Sequence, residues 1–299
     1  MKTVLATTIL ATASAKYAID RETYAKLITK DIHGESSWHP IHPDKNIFAD
    51  YTLEQVTSYM GTQLTNPPGP SMGASLAKRL RAAAVPTGLP TDYDSRQAHG
   101  DCVQGIRNQL HCGSCWAVAA AETLSDNLCI TSSDEGNVKL SAQDLVSCDS
   151  NDHGCQGGTL PSAWKYLSLE GLVTDECLPY SAGGGNVTKC NAYQCAADSS
   201  GTYTKHKCTE TSNMLGDTNA IKNGVMQVGS AETGFYVYQD FLQYKSGIYK
   251  HDNTTSNNPL GGHGKIFKID SFSTIQHFFF FTHALCSLSN LTSTCLSFF

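Results

Sequence analysis

The sequence has no apolar run long enough to cross a membrane and no excess of positive charge. No stretch reaches the ~20 apolar residues that a membrane-spanning helix requires, so we expect no transmembrane segment. Lys and Arg total 21 against 27 Asp and Glu, which gives a formal net charge of −6. No Lys/Arg run of the length used in nucleic-acid binding is present, and this balance argues against a nucleic-acid partner. The 299 residues, 40% of them hydrophobic, are enough for one or two packed cores.

The C-terminal part of the chain is poor in several residue types. Residues 265–299 contain no Gly, Trp or Tyr, although the preceding residues hold all 25 glycines. They contain eight of the eleven Phe residues, four of them consecutive at Phe278–Phe281. A β-barrel lobe uses turn glycines and alternating strands. This composition therefore predicts an aberrant tail over residues 264–299 that offers neither.

The N-terminus has the pattern of a secretory signal. Met1 and Lys2 precede an apolar run, Val4–Ala13, and an Ala-x-Ala site that ends at Ala15. This order predicts cleavage after Ala15; the alternative is a buried N-terminal helix. Twelve cysteines agree with an oxidising route. We therefore expect a protein that is secreted or held in a lysosome-like or vacuole-like compartment.

Residues 16–88 contain no cysteine and divide into two parts. Short helical patterns at Thr23–Lys30 and Leu53–Met60 indicate a small helical segment, which is too short to form a good core alone. An independent helical domain is therefore less favoured than docking onto the rest of the chain. The following Pro/Gly-rich stretch carries the basic cluster Lys78–Arg81, as is typical of a linker with a processing site. We place that processing near Gly88.

A Cys-Gly-Ser-Cys-Trp motif at residues 112–116 is the strongest chemical signal in the sequence. The helix-forming run after Cys115 predicts that this thiol lies at a helix N-terminus, where an anion is stabilised. His263, within a Gly-Gly-His-Gly motif, follows 148 residues later and is the candidate imidazolium partner that would also favour a thiolate. The alternative for Cys115 is an inert buried residue or half of a disulfide bond.

These motifs and their spacing resemble the papain family of cysteine proteases. The stretches Phe235–Phe241 and Ser246–Tyr249, which lead up to His263, are similar to its cathepsin B branch. The resemblance covers roughly residues 16–263. It implies a papain-like α+β fold with a helical lobe after Cys115 and a β-barrel-like lobe that ends prematurely. The chain is thus expected to comprise a signal peptide at residues 1–15, a pro-segment and processing linker at 16–88, a peptidase domain at 89–263 and an aberrant tail at 264–299.

The resemblance also implies a role for each site residue. Cys115 would be the nucleophile and His263 the general base and then acid. The Gln109 amide and the Cys115 backbone N–H would stabilise the oxyanion. Gly157 and Gly158 would let an extended substrate lie close to the backbone. No metal or cofactor is expected.

Disulfide pairing is partly implied by the same resemblance. Cys112 would pair with Cys155 and Cys102 with Cys129, leaving Cys115 free. Five further cysteines are an odd number, so one is unpaired or reaches Cys286 or Cys295; they are Cys148, Cys177, Cys190, Cys195 and Cys208. The sequence leaves that connectivity open.

Two departures from the family bear on function. The family needs an Asn about twenty residues after the His, but His283 occupies that position and no Asn-Ser-Trp segment exists. The span Cys177–Cys190 is short and has no histidine, which favours an open endopeptidase cleft. The first hypothesis is a secreted or lysosomal-type cysteine endopeptidase that acts on peptides or proteins, with its own pro-segment as intramolecular inhibitor. The second is an inactive pseudo-protease or a truncated or mis-spliced gene product.

Overall fold

The computed structural model describes residues 17–64, 90, 92–132, 136–191, 193–208, 218–253, 255–267, 282–289 and 292–298. The helices are α1 (Arg21–Ile32), α2 (Leu53–Thr57), α3 (Ser95–His99), α4 (Cys115–Thr131), α5 (Ala142–Cys148), α6 (Leu160–Leu169) and α7 (Thr218–Val228). The strands are β1 (Trp38–Pro40), β2 (Ala231–Val237), β3 (Tyr244–Gly247), β4 (Gly261–Phe267), β5 (Thr282–Ser289) and β6 (Thr292–Phe298). The predicted signal peptide and nearly all of the linker lie outside the described residues.

The helical lobe is built around α4. Its alanine-rich sequence favours a helix, and every side chain from Cys115 to Leu128 is buried. A helix that is buried on all sides is a central element of its domain. Trp116 and Leu124 of α4 pack in one core with Leu145 of α5 and Trp164 of α6. Burial of each such side chain contributes about 1.5–3 kcal/mol, so this core fixes the position of the α4 N-terminus.

Disulfide bonds fasten the loops of this lobe. The bonded pairs among the described residues are Cys102–Cys129, Cys112–Cys155, Cys148–Cys190 and Cys177–Cys195. The first two are the pairs that the family resemblance implies, and the last two were left open by the sequence. Cys115 is the free cysteine of this part of the chain.

The second lobe contains a four-stranded sheet in the order β4-β2-β5-β6. Strands β2 and β4 are antiparallel, with Phe235 opposite His263 and Gly234 opposite Gly264. Strand β2 is buried along most of its length. It packs His263 toward the N-terminus of α4, where an added methyl group on Gly264 would lie 2.9 Å from the Cys115 carbonyl oxygen.

The prediction that the tail contributes no strands is wrong. The described backbone of the tail forms β5 and β6, and β5 pairs with β2 on the edge opposite β4. An unpaired edge of β2 would leave backbone N–H and C=O groups without partners. Pairing through backbone groups does not require the missing glycines, so the lobe does not end at His263. The Phe278–Phe281 run lies outside the described residues.

The N-terminal segment (residues 17–64) docks on the second lobe and then enters the groove between the lobes. Strand β1 pairs with β3 in a two-stranded antiparallel sheet. The buried Asn46 side chain donates to the Leu242 carbonyl oxygen at 2.7 Å, and Lys30 forms an ion pair with Asp252. The expected helices are present as α1 and α2. Within the described ranges, no helix combines the length and apolar character needed to cross a membrane.

Candidate active site

Cys115 lies at the first residue of α4, as the sequence predicts. Its side chain is buried, with only 2% of its surface exposed. The Ser114 hydroxyl lies 2.7 Å from the Tyr180 hydroxyl, which fixes the turn into the helix. The unpaired N–H groups of the first helical turn favour negative charge at this position. The local geometry therefore suits a thiolate.

His263 interacts directly with this thiol. Burial raises the pKa of the Cys115 thiol, but the charge of His263 and a hydrogen bond from its ring outweigh burial and bring the pKa down to about 7. For His263, burial lowers the pKa, whereas the charge of Cys115 and the same hydrogen bond raise it above the ordinary value. Both changes favour the ion pair. At neutral pH the thiolate–imidazolium form is thus accessible.

The His263 ring is held by packing on one side and lacks a polar partner at one nitrogen. It makes an edge-to-face contact with Phe235, with ring centroids 5.9 Å apart. Its Nδ1 atom is buried and has no hydrogen-bond partner within the described part of the chain. His283, at the position of the family's Asn, lies on β5 opposite Thr233. Strand β2 thus separates the backbone of His283 from that of His263.

Gln109 lies beside the nucleophile, at the entrance to α4. Its Nε2 atom donates to the carbonyl oxygens of Tyr59 at 2.9 Å and Cys112 at 2.8 Å. Tyr59 belongs to the N-terminal segment, so the Gln109 side-chain amide is already hydrogen-bonded to a carbonyl group of the chain itself. This arrangement brings together the three residues predicted for catalysis: Cys115, His263 and Gln109.

The N-terminal segment runs directly across the nucleophile. The Thr62 hydroxyl oxygen lies 3.1 Å from the Cys115 sulfur. Gly61 forms a parallel bridge with Gly262, and Thr62 forms one with Gly158. The Gly158 N–H donates to the Gly61 carbonyl at 2.9 Å. The segment therefore covers the sulfur atom that would have to attack a substrate.

The predicted Gly157-Gly158 strip contacts the segment through backbone atoms, and close packing explains the glycines. A methyl group on Gly157 would lie 2.6 Å from the Gly61 carbonyl oxygen. One on Gly158 would lie 2.6 Å from the Trp116 ring, and one on Gly61 would lie 1.8 Å from the Gly113 carbonyl oxygen. A larger residue at Gly157 or Gly61 would push the segment away from its groove, and one at Gly158 would clash with the Trp116 ring.

Sequence reasoning did not identify Tyr59, Thr62 or His111 as parts of this site. The Tyr59 hydroxyl lies 2.6 Å from His111 Nδ1, a contact that joins residues 52 positions apart. Tyr59 and Thr62 reach the site only because the segment docks in one particular register. The position of His111 two residues after Gln109 was the one available signal, since a titratable ring close to an oxyanion donor lies at the cleft.

Comparisons with known proteins identify the family of this chain. Residues 89–265 match the papain family of cysteine proteases. Cathepsin B-like CP3 of Giardia intestinalis is 37% identical over 198 residues, which are 64% of this chain and 64% of that protein. Cathepsin B of Dictyostelium discoideum is 37% identical over 203 residues, which are 63% of this chain and 62% of that protein. The matched region thus spans less than two thirds of the length of either relative.

Solved structures show the same fold. The procathepsin B S9 of Trypanosoma congolense superimposes with a TM-score of 0.68, covering 95% of this chain and 94% of that chain at 21% identity. At this identity the likeness concerns the fold alone. The family match covers more than half of the 299 residues. The chain therefore belongs to the papain family of cysteine proteases, with relatives of the cathepsin B type.

Proposed function

We propose that this chain is the zymogen of a cysteine endopeptidase that hydrolyses internal peptide bonds. The observation that carries the proposal is the Cys115–His263 pair, whose charges stabilise one another at the mouth of a cleft. A thiol with a pKa near 7 is a nucleophile at neutral pH, whereas an ordinary thiol is mostly protonated.

The chemistry follows from the positions of the three side chains. The Cys115 thiolate attacks the scissile carbonyl carbon, and the Gln109 amide and the Cys115 backbone N–H stabilise the oxyanion. The C–N bond then breaks as the His263 imidazolium gives its proton to the leaving amine. Water, deprotonated by His263, attacks the thioester and releases the acid and the thiolate. One peptide bond and one water are consumed.

The N-terminal segment serves as the pro-segment and intramolecular inhibitor in this proposal. Its Thr62 covers the Cys115 sulfur at 3.1 Å, and its Tyr59 carbonyl occupies the Gln109 amide. Cleavage in the linker near Gly88 would release it. The signal sequence at residues 1–15 would direct the protein to secretion or to a lysosome-like compartment.

A second candidate is a catalytically inactive relative, and one observation favours it. The buried His263 Nδ1 atom has no hydrogen-bond partner in the described ranges, so apart from its contacts with Cys115 and the Tyr59 backbone the ring is oriented by packing against Phe235. An enzyme whose catalytic imidazole lacks an orienting side chain turns over substrate less efficiently. The thiol would still react with an electrophile, because its pKa depends on the Cys115–His263 contact.

Covalent labelling separates these candidates. The processed protein is treated with a peptidyl epoxide and the labelled residue is identified by peptide mass mapping. The proposal expects label at Cys115, loss of label in Cys115→Ser, and turnover of a peptide substrate that the label abolishes. The exposed Tyr193→Ala variant is the control. Label that persists in Cys115→Ser contradicts the assignment, and label without turnover supports the inactive candidate.

A further inference from the structure

A cavity of about 360 Å³ lies on the His263 side of the nucleophile. The N-terminal segment closes one side of this cavity, and the walls on the peptidase side include Gln109, Leu110, His111, Val237 and Leu242. In the proposed reaction His263 protonates the departing amine, so the leaving-group half of a substrate must lie on the His263 side. The Gly157-Gly158 strip lies on the other side of the sulfur. The cavity is therefore where side chains that follow the scissile bond would bind.

The cavity rim at Leu110 and His111 is held in an unusual conformation. Leu110 has a φ of 53°, a left-handed conformation that residues other than glycine rarely adopt. Its side chain packs so closely on Gly183 that a methyl group there would lie 2.4 Å from Leu110 Cδ1. The His111 N–H donates to the Gly183 carbonyl at 2.9 Å. The rim is thus fixed, with Leu110 47% exposed and the His111 ring facing the N-terminal segment.

A tyrosine already occupies this part of the cleft. The Tyr59 hydroxyl lies 2.6 Å from His111 Nδ1, and the two ring centroids are 5.7 Å apart. The Tyr59 carbonyl accepts from Gln109, so the residue sits at the reaction centre and its side chain extends along the rim. Val237 and Leu242 form an apolar wall of the cavity, and the His111 ring provides a hydrogen-bonding group at its rim. A tyrosine combines an apolar ring with a polar tip and matches both features.

We infer that Leu110 and His111 form a specificity subsite that selects a tyrosine side chain within two residues after the scissile bond. The inference rests on the proposed peptidase function. His111 binds the phenol hydroxyl, while Leu110, Val237 and Leu242 contact the ring. His111 is a specificity-determining residue and takes no part in bond breaking.

The test uses the full chain after its own processing and two kinds of substrate. Internally quenched peptides carry Tyr, Phe or Ala at the first or second position after the scissile bond. A peptidyl coumarin amide, which has no residue on that side, reports turnover independently of the subsite. We expect kcat/KM for Tyr to exceed that for Phe by about three- to tenfold, the range of one hydrogen bond. In His111→Ala this ratio should fall to about one, with the loss mainly in KM, whereas in Ile106→Ala it should be unchanged.

Each outcome bears on one proposal. Coumarin turnover with an equal Tyr:Phe ratio in wild type and His111→Ala overturns the subsite and leaves the peptidase intact. A His111-dependent preference for peptides with a free C-terminal carboxylate over the amide also overturns it, in favour of carboxylate binding. Absence of coumarin turnover counts against the peptidase function.

A measurement without turnover tests the same contact. In the full chain carrying Cys115→Ser, Tyr59→Phe and His111→Ala should each lower the unfolding midpoint, and the second change should add little once the first is made. Additive shifts would show that His111 does not bind the phenol and would overturn the subsite.

Discussion

The Thr62 hydroxyl oxygen of the N-terminal segment lies 3.1 Å from the Cys115 sulfur. A substrate carbonyl must reach the same sulfur, so the two cannot occupy the cleft together. The segment is fastened before this contact, through Tyr59 to Gln109, and after it, through the Gln63 N–H to the Gly158 carbonyl oxygen. Release of the segment is therefore the step that would expose the nucleophile.

The first prediction concerns Gly61, where the N-terminal segment lies very close to the backbone of Gly113. We expect Gly61→Ala to weaken inhibition by the segment about tenfold or more, because the added methyl group would lie 1.8 Å from the backbone of Gly113 and each 1.4 kcal/mol lost is a factor of ten. The measurement is the inhibition constant of a 16–88 peptide on the processed protein. Ile32→Ala, whose side chain is 75% exposed, is the control within the same peptide. Equal inhibition by both peptides would show that the segment does not bind in this register.

The second prediction is the pH dependence of thiol reactivity. In the processed protein, where the sulfur is accessible, the His263 charge and hydrogen bond that lower the Cys115 pKa remain, so alkylation by iodoacetamide should rise with pH through a midpoint below the ordinary thiol value. In His263→Ala both of these effects are lost, and the midpoint should move upward toward the ordinary thiol value. The alkylation rate of Cys115, followed by mass spectrometry from pH 5 to 10, gives both midpoints. Identical profiles would mean that His263 does not stabilise the thiolate.

The catalytic residues could be predicted from the sequence more completely than the strands and the N-terminal segment that surround them. Cys115 and His263 could be identified from the sequence because each lies in a short motif whose chemistry is specific. Helices α1 and α2 followed from short apolar patterns, with Thr52 as the N-cap in a capping box with Gln55. The strands β5 and β6 were missed because composition was weighed above backbone pairing. The Thr62–Cys115 contact depends on docking register, which no local pattern encodes.

A third prediction concerns Glu232, a carboxyl group buried in β2. Burial raises its pKa well above the ordinary value, although a hydrogen bond from the Trp164 indole opposes this shift. A carboxyl group whose folded-state pKa is raised favours the folded state below its unfolded pKa, and this contribution declines as pH rises toward the folded-state pKa. Glu232→Gln should therefore reduce the loss of thermal stability between pH 4.5 and neutral pH. Unfolding midpoints across that range provide the measurement. If the unfolding midpoint changes with pH to the same extent in both proteins, groups other than Glu232 cause the pH dependence.

The fourth prediction concerns the residues after His263. The buried Nδ1 atom of His263 has no described partner, and the family position for an orienting Asn holds His283. We expect a chimera with a papain-family C-terminus after His263 to hydrolyse peptides about tenfold faster or more than this chain, because an orienting group aids the base. A chimera whose orienting Asn is replaced by Ala is the matched control. If this chain equals the intact chimera in kcat/KM and is monomeric, its own tail supports catalysis.

The most direct test of the central claim is product analysis with an internally quenched peptide. The processed chain and its Cys115→Ser and His263→Ala variants are incubated with the peptide, and the products are identified by mass. The proposed mechanism predicts cleavage at an internal bond, loss of cleavage in both variants, and block of cleavage by added 16–88 peptide. Cleavage that continues undiminished in Cys115→Ser would contradict it.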